Sequence, residues 1–216
     1  TASINIQAPN HNSVGGLIGT NTKTYLKADS FSTISNSYAS GSIKCSENCG
    51  GLIGASNYAR ISDCHASTNI NGNQYLGGLI GSIYQTTIKN SHATGDINIT
   101  NYMGGALIGY MENSSAENIY ATGDVKAINS NNPNANNIAG AIGAVVNSII
   151  TNIYATGNVS GYTNISGLFA GISGSQVKNC LSLGNIIQST DYSIGGIIGC
   201  LGTSSNSGQT TTITNC

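Results

Sequence analysis

Short stretches of the chain alternate Ile, Val or Tyr with Ser, Thr, Lys or Asn, and they are punctuated by Gly-Asp, Gly-Asn or Gly-Ser. Alternation with a period of two is the pattern of a β-strand with one buried face, and these dipeptides are typical of turns. Helical spacing is absent, and the helix formers Leu, Glu and Lys are scarce. The pattern therefore predicts an all-β protein.

Two motifs recur along the chain. The first reads GGLIG at 15–19 and returns, with variations, at 50–54, 77–81, 105–109, 139–143, 168–171 and 195–199. The second has the form TISNSYASGSI and starts at Thr33, Arg60, Thr87, Ser115, Ile149 and Gln176, with a shorter copy, TITNC, at Thr212. The spacing predicts seven copies of a unit of about 27 residues in a single domain over 1–216.

A unit of this length is too small to bury an apolar face alone, whereas stacked copies bury a continuous core. Three short strands and their corners account for about 27 residues. We therefore predict a parallel β-solenoid (β-helix) of about seven coils, with a rise of ~4.8 Å per coil and a length of roughly 35 Å. Three longer intervals between motifs predict insertion loops at 21–32, 129–137 and 202–211.

In such a stack, aligned residues form columns along the rod. An inward apolar column contains Ile34, Ile61, Ile88, Ala116, Ile150, Val177 and Ile213. The next, outward column contains Ser35, Ser62, Lys89, Glu117, Thr151, Lys178 and Thr214. The third, the amide column, contains Asn36, Asp63, Asn90, Asn118, Asn152, Asn179 and Asn215. Stacked amides hydrogen-bond to the coils above and below, so we interpret this column as a structural ladder rather than a ligand site.

After the amide column the alternation leaves two possibilities. If the strand runs straight, the inward column contains Tyr38, His65, His92, Tyr120, Tyr154 and Leu181. If the Asn marks a bend, these rings stack outside and the inward column contains Ser37, Cys64, Ser91, Ile119, Ile153, Cys180 and Cys216. We favour the bend because it buries two Ile and three Cys and leaves the Tyr hydroxyls in water.

The Leu and the Ile of GGLIG raise a second question, because adjacent residues of one strand point to opposite faces. Either a local bend or an overlying insertion loop buries both, or one of the two forms an exposed apolar stripe for a lateral protein contact. The Leu column contains Leu17, Leu52, Leu79, Leu107 and Ile197, and the Ile column contains Ile18, Ile53, Ile80, Ile108 and Ile198.

The chain is poor in charge. Charged residues make up 7% of it, against roughly 25% in typical soluble proteins, and the formal net charge is −1. Such a chain has no basic surface for phosphates, so we expect no nucleic-acid partner. The sequence contains no polybasic or lipidation signal and no apolar run of ~20 residues, so we expect no membrane insertion.

Six Cys in a charge-poor, Asn-rich chain favour an oxidising location, extracellular or at a cell surface. The disulfide candidates are Cys180 with Cys216, which share a column on adjacent coils, and Cys45 with Cys49, which are four residues apart. Buried free thiols are the alternative, and Cys64 and Cys200 have no convincing mutual partner. Four N-x-S/T sequons are possible glycosylation sites, at Asn98, Asn113, Asn158 and Asn164.

Two pairs of side chains are candidates for chemistry. Asp96 and Asp124 follow a Gly in adjacent coils, and a carboxylate separation of ~5 Å is that of a retaining glycosidase. The same column holds ordinary turn residues elsewhere, which favours a turn. His65 and His92 lie on adjacent coils, but no further metal ligand converges on them and Tyr replaces His in the same ladder. We therefore expect no catalytic residue, no metal and no cofactor.

The paired motifs, GGLIG followed by N-S-Y-A-T-G-D/N-I/V, resemble the GLUG repeat. This repeat is found in large bacterial surface proteins, including IgA-cleaving metallopeptidases and haemagglutinin-like adhesins. The resemblance extends from Gly15 to Cys216, with departures at LFAG (168–171) and CLSLG (180–184). It implies a non-catalytic extracellular module for surface presentation, adhesion or assembly. The chain contains no HExxH metallopeptidase motif.

Neither terminal coil has the protecting residues of a solenoid cap, and the C-terminal segment placed against the N-terminal one nearly regenerates a repeat. This fits either a slice of a longer array or subunits that stack head to tail into a filament. We therefore predict a structural rod, a filament or a surface-adhesin segment. The alternatives are glycan recognition by the Tyr and His ladder, and ice binding by the hydroxyl column Ser40, Ser67, Thr94, Thr122 and Thr156.

Overall fold

The computed structural model describes residues 2–22, 30–128, 136–188, 193–202 and 210–216. Within these ranges the chain forms 28 strands and no helix. The strands form three sheets, one of 14 strands and two of seven, in which neighbouring strands run parallel. The predicted all-β parallel solenoid of about seven coils is thereby confirmed.

The 14-stranded sheet, sheet A, forms two adjoining legs of each coil. The first leg contains β1 (Ala2–Gln7), β5 (Tyr38–Lys44), β9 (His65–Gly72), β13 (Ile97–Ile99), β17 (Val125–Ala127), β21 (Val159–Gly161) and β25 (Ile186–Gln188). The second leg contains β4 (Ser32–Ser35), β8 (Ala59–Ser62), β12 (Thr87–Ala93), β16 (Ser115–Ala121), β20 (Ile149–Ala155), β24 (Gln176–Ser182) and β28 (Thr212–Thr214).

Sheets B and C form the remaining two sides. Sheet B contains β2 (Val14–Gly15), β6 (Glu47–Gly50), β10 (Gln74–Gly77), β14 (Gly104–Gly105), β18 (Asn136–Ala139), β22 (Thr163–Ser166) and β26 (Ile194–Gly195). Sheet C contains β3 (Ile18–Asn21), β7 (Ile53–Asn57), β11 (Ile80–Tyr84), β15 (Ile108–Glu112), β19 (Ile142–Val146), β23 (Phe169–Ser173) and β27 (Ile198–Gly202).

Each coil lies in register on the next. Hydrogen-bonded partners in adjacent regular coils are 27 or 28 residues apart, and those on either side of an insertion are 34, 35 or 36 apart. The predicted loops at 21–32, 129–137 and 202–211 overlap the neighbouring strands by one or two residues. Their central parts, 23–29, 129–135 and 203–209, lie outside the described residues.

The sixth GGLIG copy is displaced from the predicted anchor at 168–171. Phe169 pairs with Ile142 and Ser166 pairs with Gly195, so the motif occupies 166–170. The prediction was wrong because it aligned the copies on their last Gly. In this copy Ala170 takes that place, and the next Gly lies one position later.

Three corners turn each coil, and each uses a residue with positive φ, a conformation that Asn and Gly tolerate best. The corner between sheets C and A contains Tyr58, Gln85, Asn113, Asn147 and Gly174. The corner in sheet B contains Ser13, Asn48, Tyr75, Met103, Asn137 and Asn164. The third corner joins the two legs of sheet A and is the amide column, with φ between 48° and 58°.

The bend at the amide column decides which side chains point inward. The residue after the bend is buried in the covered coils, as at Cys64, Ser91 and Ile119. The ring that follows, such as Tyr120 or Tyr154, faces outward. The favoured alternative of the sequence analysis therefore holds, because a left-handed residue shifts the alternation of the strand by one position.

Inward columns from all three sheets fill the interior. A bend at the Gly-Leu step of GGLIG lets both apolar residues point inward, so Leu52 and Ile53 have no exposed surface. A Cβ at Gly51 would collide with the carbonyl oxygen of Gly78 in the next coil, which explains why this step favours Gly. In the coils covered on both sides, the motif forms no outer apolar stripe.

Candidate functional site

The amide column forms a hydrogen-bonded ladder along the outside of the rod. In each step the Nδ2 group of one coil donates to the side-chain oxygen of the coil before it, at 2.7–3.2 Å, from Asn90 to Asp63 at one end and from Asn215 to Asn179 at the other. Asn36 has the same left-handed backbone conformation, but it receives no hydrogen bond from Asp63 because a carboxylate has no proton to donate. In all five hydrogen bonds the donor belongs to the later coil, so the ladder has a single direction.

A second side-chain ladder was not predicted. Here a side-chain oxygen accepts a hydrogen bond from the main-chain N–H of the equivalent residue in the next coil, at 2.7–3.1 Å. The column contains Asn69, Asp96, Asp124, Asn158 and Asn185. Each carboxylate of the Asp96 and Asp124 pair is thus occupied in joining coils, as the turn interpretation expects. The signal in the sequence was the run of Asp and Asn in one column.

A third ladder, also not predicted, is buried at the corner between sheets C and A. Each main-chain N–H donates to a hydroxyl oxygen of the next coil, and each hydroxyl donates to a carbonyl two residues before it. The hydroxyls belong to Thr86, Ser114, Ser148 and Ser175. A buried polar group without a partner is costly, so these hydroxyls stabilise the corner by accepting from its main-chain N–H groups, including that of Ala59, which occupies the same column without a hydroxyl.

The predicted outer ladder of rings forms a continuous stack. Successive centroids of Tyr38, His65, His92, Tyr120 and Tyr154 lie 4.3–5.0 Å apart, and the last three pairs are within 5° of parallel. Each inner ring has a neighbour against both faces. The ladder therefore presents ring edges to solvent, and a glycan that recognises ring faces finds them covered along its inner part.

Burial within the ring ladder favours the neutral forms of His92 and Tyr120. Burial, and secondarily the neighbouring His65, lower the pKa of His92. A hydrogen bond with Ser67, 2.8 Å between the oxygens, lowers the pKa of Tyr38, whereas burial raises that of Tyr120. Within the described part of the chain, no group of three or more His, Cys, Asp and Glu side chains is arranged to hold a metal ion.

Two grooves follow corners of the coils, each with a volume of about 580 Å³. The first lies between the amide ladder and the side chains of Tyr120, Tyr154 and Leu181. The second lies at the corner between sheets C and A, beside Phe31 and Ile149. Both grooves run along the rod, and the corner residues line them.

A cluster of Tyr side chains lies at the corner in sheet B. The rings of Tyr102 and Tyr110 lie 5.7 and 5.9 Å from that of Tyr75, edge to face. Burial raises the pKa of Tyr75 and of Tyr110 to about 12, and a hydrogen bond from Tyr110 to Glu112 contributes to the second shift. Both phenols therefore stay protonated at neutral pH.

The structure contains two disulfides, Cys45–Cys49 and Cys180–Cys216. The second joins adjacent coils, with its Cα atoms 4.5 Å apart. Cys64 is free and buried, and burial raises the pKa of its thiol. Cys200 is free and exposed in β27.

The four sequons differ in how their amides are used. Three donate to a neighbouring coil, Asn98 to Asn71, Asn158 to Asp124 and Asn164 to Asn137. Asn113 lies exposed at a corner, and its Nδ2 group makes a long contact of 3.5 Å with Glu112. Of the four predicted acceptors, Asn113 is the least engaged in holding coils together.

The surface carries few charges. Lys89 and Glu117, neighbours in the outward polar column, form an ion pair with 2.7 Å between Nζ and Oε2. The pair is exposed, so its contribution to stability is at most about 1 kcal/mol. Across the described ranges, the structure has no helix long and apolar enough to cross a membrane.

Both ends of the stack are strand edges. We call β1, β2, β3 and β4 the N-terminal edge and β25, β26, β27 and β28 the C-terminal edge. None of these eight strands pairs with a described strand on its outer side. None of them contains a charged residue or Pro, the usual protection of an exposed edge. In the described part of the chain, the main-chain groups on the outer side of these strands thus have no partner strand.

Comparison with protein-family models gives matches to the GLUG motif at residues 10–44 and 72–98. The first match contains Asn36 and Tyr38, and the second contains Thr86, Asn90, His92 and Asp96. No curated protein and no solved structure gives a significant match. The matches confirm the resemblance seen in the repeated motifs, and the chain contains the GLUG motif in these two segments.

Proposed function

We propose that this chain is a non-catalytic structural protein that forms a rod outside the cell, extended end to end as a filament or as a segment of a surface adhesin. The observation that carries the proposal is a contrast between two kinds of strand. Internal strands pair with a neighbour on both sides, whereas the eight edge strands pair on one side and contain no charged residue and no Pro. Such edges accept further parallel coils, and stacking coils is what a repeat protein of this kind does.

The polar side chains support a structural role. Asp96 and Asp124 accept hydrogen bonds from main-chain N–H groups, and His65 and His92 lie stacked within the ring ladder. These four side chains are therefore engaged in coil-to-coil contacts. The side chains of the amide ladder also join adjacent coils, by hydrogen bonds between amides.

The disulfides support a location outside the cell. Two disulfides persist in oxidising compartments and are rare in the cytosol, where thiols are kept reduced. A surface that is polar but almost uncharged depends on Asn, Ser and Thr for its hydration. Both features fit a secreted or surface-exposed rod.

Ice binding has less support. Its hydroxyls form one column, and Leu183, which is 67% exposed, follows Thr156 in that column. The hydroxyl of Ser67 is within hydrogen-bond distance of that of Tyr38, which ties it to the ring ladder. A regular two-dimensional array of free hydroxyls is not what this face presents.

Light scattering coupled to size-exclusion chromatography, over rising concentrations of the oxidised chain, tests the proposal, with negative-stain microscopy of the same samples. We expect mass to increase with concentration and rods longer than the roughly 35 Å of one copy. Ile213→Glu places a charge in an inward column of the C-terminal edge and should stop this growth. Thr214→Glu, on the outward column of the same strand, is the matched control and should leave it unchanged. A chain that stays monomeric at every concentration contradicts the proposed extension.

A further inference from the structure

The nature of the junction can be specified further, on the basis of the proposed end-to-end extension. We propose that the partner at each edge is a second copy of this chain, joined with a single polarity. The C-terminal edge of one copy meets the N-terminal edge of the next, in register, so that every column continues across the junction.

The strand pairings define which strands would meet. Following each column through successive coils places β25 over β1, β26 over β2, β27 over β3 and β28 over β4 of the next copy. Each strand of one edge therefore has one counterpart in the other. The contact would be an ordinary parallel coil-on-coil contact, like those inside the chain.

Five inward columns match in chemistry, whereas a sixth, in sheet C, begins with Asn21 and ends with Leu201. The N-terminal edge ends these columns with Ile6, Val14, Leu17, Ile18 and Ile34, and the C-terminal edge ends the same columns with Ile186, Ile194, Ile197, Ile198 and Ile213. Leu17 is 42% exposed and Ile213 is 40% exposed, whereas their column neighbours in central coils are fully buried. A second copy would remove this apolar surface from water on both sides of the junction.

The amide ladder supplies the polarity. In the five hydrogen-bonded steps from Asp63 to Asn215, the Nδ2 group of the later coil donates to the side-chain oxygen of the earlier coil. At the C-terminal edge the amide column ends with the Oδ1 atom of Asn215, an acceptor. At the N-terminal edge the amide column begins with Asn36, whose Nδ2 group is a donor. Only contact between a C-terminal edge and an N-terminal edge brings the Nδ2 group of Asn36 to the Oδ1 atom of Asn215. Contact between two edges of the same kind would run their columns in opposite order, so equivalent columns would not meet.

A disulfide trap tests the register. Thr20 and Cys200 are exposed and end the same outward column of sheet C, at opposite edges. Cys180 and Cys216 show that neighbouring positions of one column can form a disulfide. Under mild oxidation, Thr20→Cys should therefore give a series of disulfide-linked multimers on a non-reducing gel, at least tenfold more than wild type. Thr33→Cys, on the same edge but in another column, should not, and adding Cys200→Ser to Thr20→Cys should abolish the series.

Mixing two blocked variants tests the polarity. Ile34→Glu blocks the N-terminal edge and Ile213→Glu blocks the C-terminal edge, in the same column. Each alone should be monomeric, and an equimolar mixture should give 1:1 dimers, because one free edge of each kind remains. Dimers of either variant alone, or equal cross-linking by Thr33→Cys, would overturn the inference while leaving end-to-end extension intact. A wild-type chain that never associates contradicts the extension itself.

Discussion

The central coils and the two terminal coils contain the same columns but bury them differently. Ile88 is fully buried, whereas Ile213, in the same column of the last coil, is 40% exposed. Ile172 is 2% exposed, and Leu201, the next residue in its column, is 60% exposed. The residue types are alike, so the difference comes from the missing neighbour. In this fold a coil is buried by the coils on either side of it and not by its own residues.

The last coil also differs in its outward residues. Leu181, Leu183 and Ile187 are 50–67% exposed in columns that other coils fill with Tyr, His, Ser, Thr, Lys, Asn or Gln. A coil stacked on the C-terminal edge would not enclose side chains that point sideways. This second difference therefore comes from the residue types of these columns and not from the missing neighbouring coil.

The largest expected effect comes from placing the same substitution in a covered and an uncovered coil. Gly51→Val should lower the free energy of unfolding by about 4 kcal/mol or more, because its side chain meets the backbone of the next coil. Gly196, in the equivalent position of the last coil, has no atom within 4 Å of the place where a Cβ would lie, so Gly196→Val should change the monomer by about 0.5 kcal/mol or less. Urea unfolding of both variants measures this, and equal losses would contradict the comparison.

The next effect compares two truncations in one apolar column. Ile88→Ala should cost about 3 kcal/mol, since it leaves a cavity among fully buried neighbours. Ile213→Ala should cost about 1 kcal/mol, because part of its surface is already in water. Urea unfolding under two-state conditions gives both values. A cost at the last coil as large as that at the central one would show that the edge is already covered.

The disulfide between coils should stabilise the last coil in particular. Cys216→Ser removes a link between residues 36 apart, and loop-closure arguments assign such a link about 2–4 kcal/mol. We expect faster amide hydrogen exchange in 210–216 and 193–202, with little change in the central coils. Cys200→Ser, at the other described Cys of the last coil, is the control and should leave exchange unchanged. Uniform loss of protection along the chain would mean that the solenoid unfolds as one unit.

The amide ladder should contribute both a backbone conformation and hydrogen bonds, which two substitutions separate. Asn118→Ala replaces a residue that tolerates φ 54° by one that does not, and it removes two ladder bonds, at a cost of about 2 kcal/mol. Asn118→Gly removes the same bonds without the steric cost and should lose about 1 kcal/mol. Thermal or urea unfolding measures the two. Identical losses would assign the whole effect to the bonds.

The smallest effect is a dependence on pH. Because the pKa of His92 is lowered in the folded state, the unfolded chain binds the proton first as pH falls. Stability should therefore be greatest above the ordinary His pKa of about 6.5 and decrease as pH falls through the lower folded value. His92→Tyr keeps a ring in the stack and should flatten this dependence. Stability that rises on acidification would contradict the assigned direction.

Most of the fold could be predicted because parallel stacking in register converts an alignment of copies into an alignment in space. The amide column, the outer rings and the disulfide between Cys180 and Cys216 all follow from that single step. The bend was predictable because Asn tolerates positive φ, and the left-handed corner then reverses the side-chain direction.

Three features of the structure could not be predicted from the columns of residue types. The ladders of Asp124 and of Ser114 use main-chain N–H groups, whose orientation is invisible in a column of side-chain types. The sixth anchor was misplaced because Ala170 replaces the Gly used for alignment. That the ring ladder offers edges rather than faces depends on interplanar angles of 2–5°, which no residue pattern specifies.

Amide hydrogen exchange of the oxidised chain, at low and at high concentration, tests most directly whether neighbouring coils supply the burial. At low concentration, protection should be greatest in the central strands, such as β11, β15 and β19, and should fall towards both edges. At high concentration the strands of the two edges should gain protection while the central strands stay unchanged. Protection that is uniform along the chain at both concentrations would contradict the account.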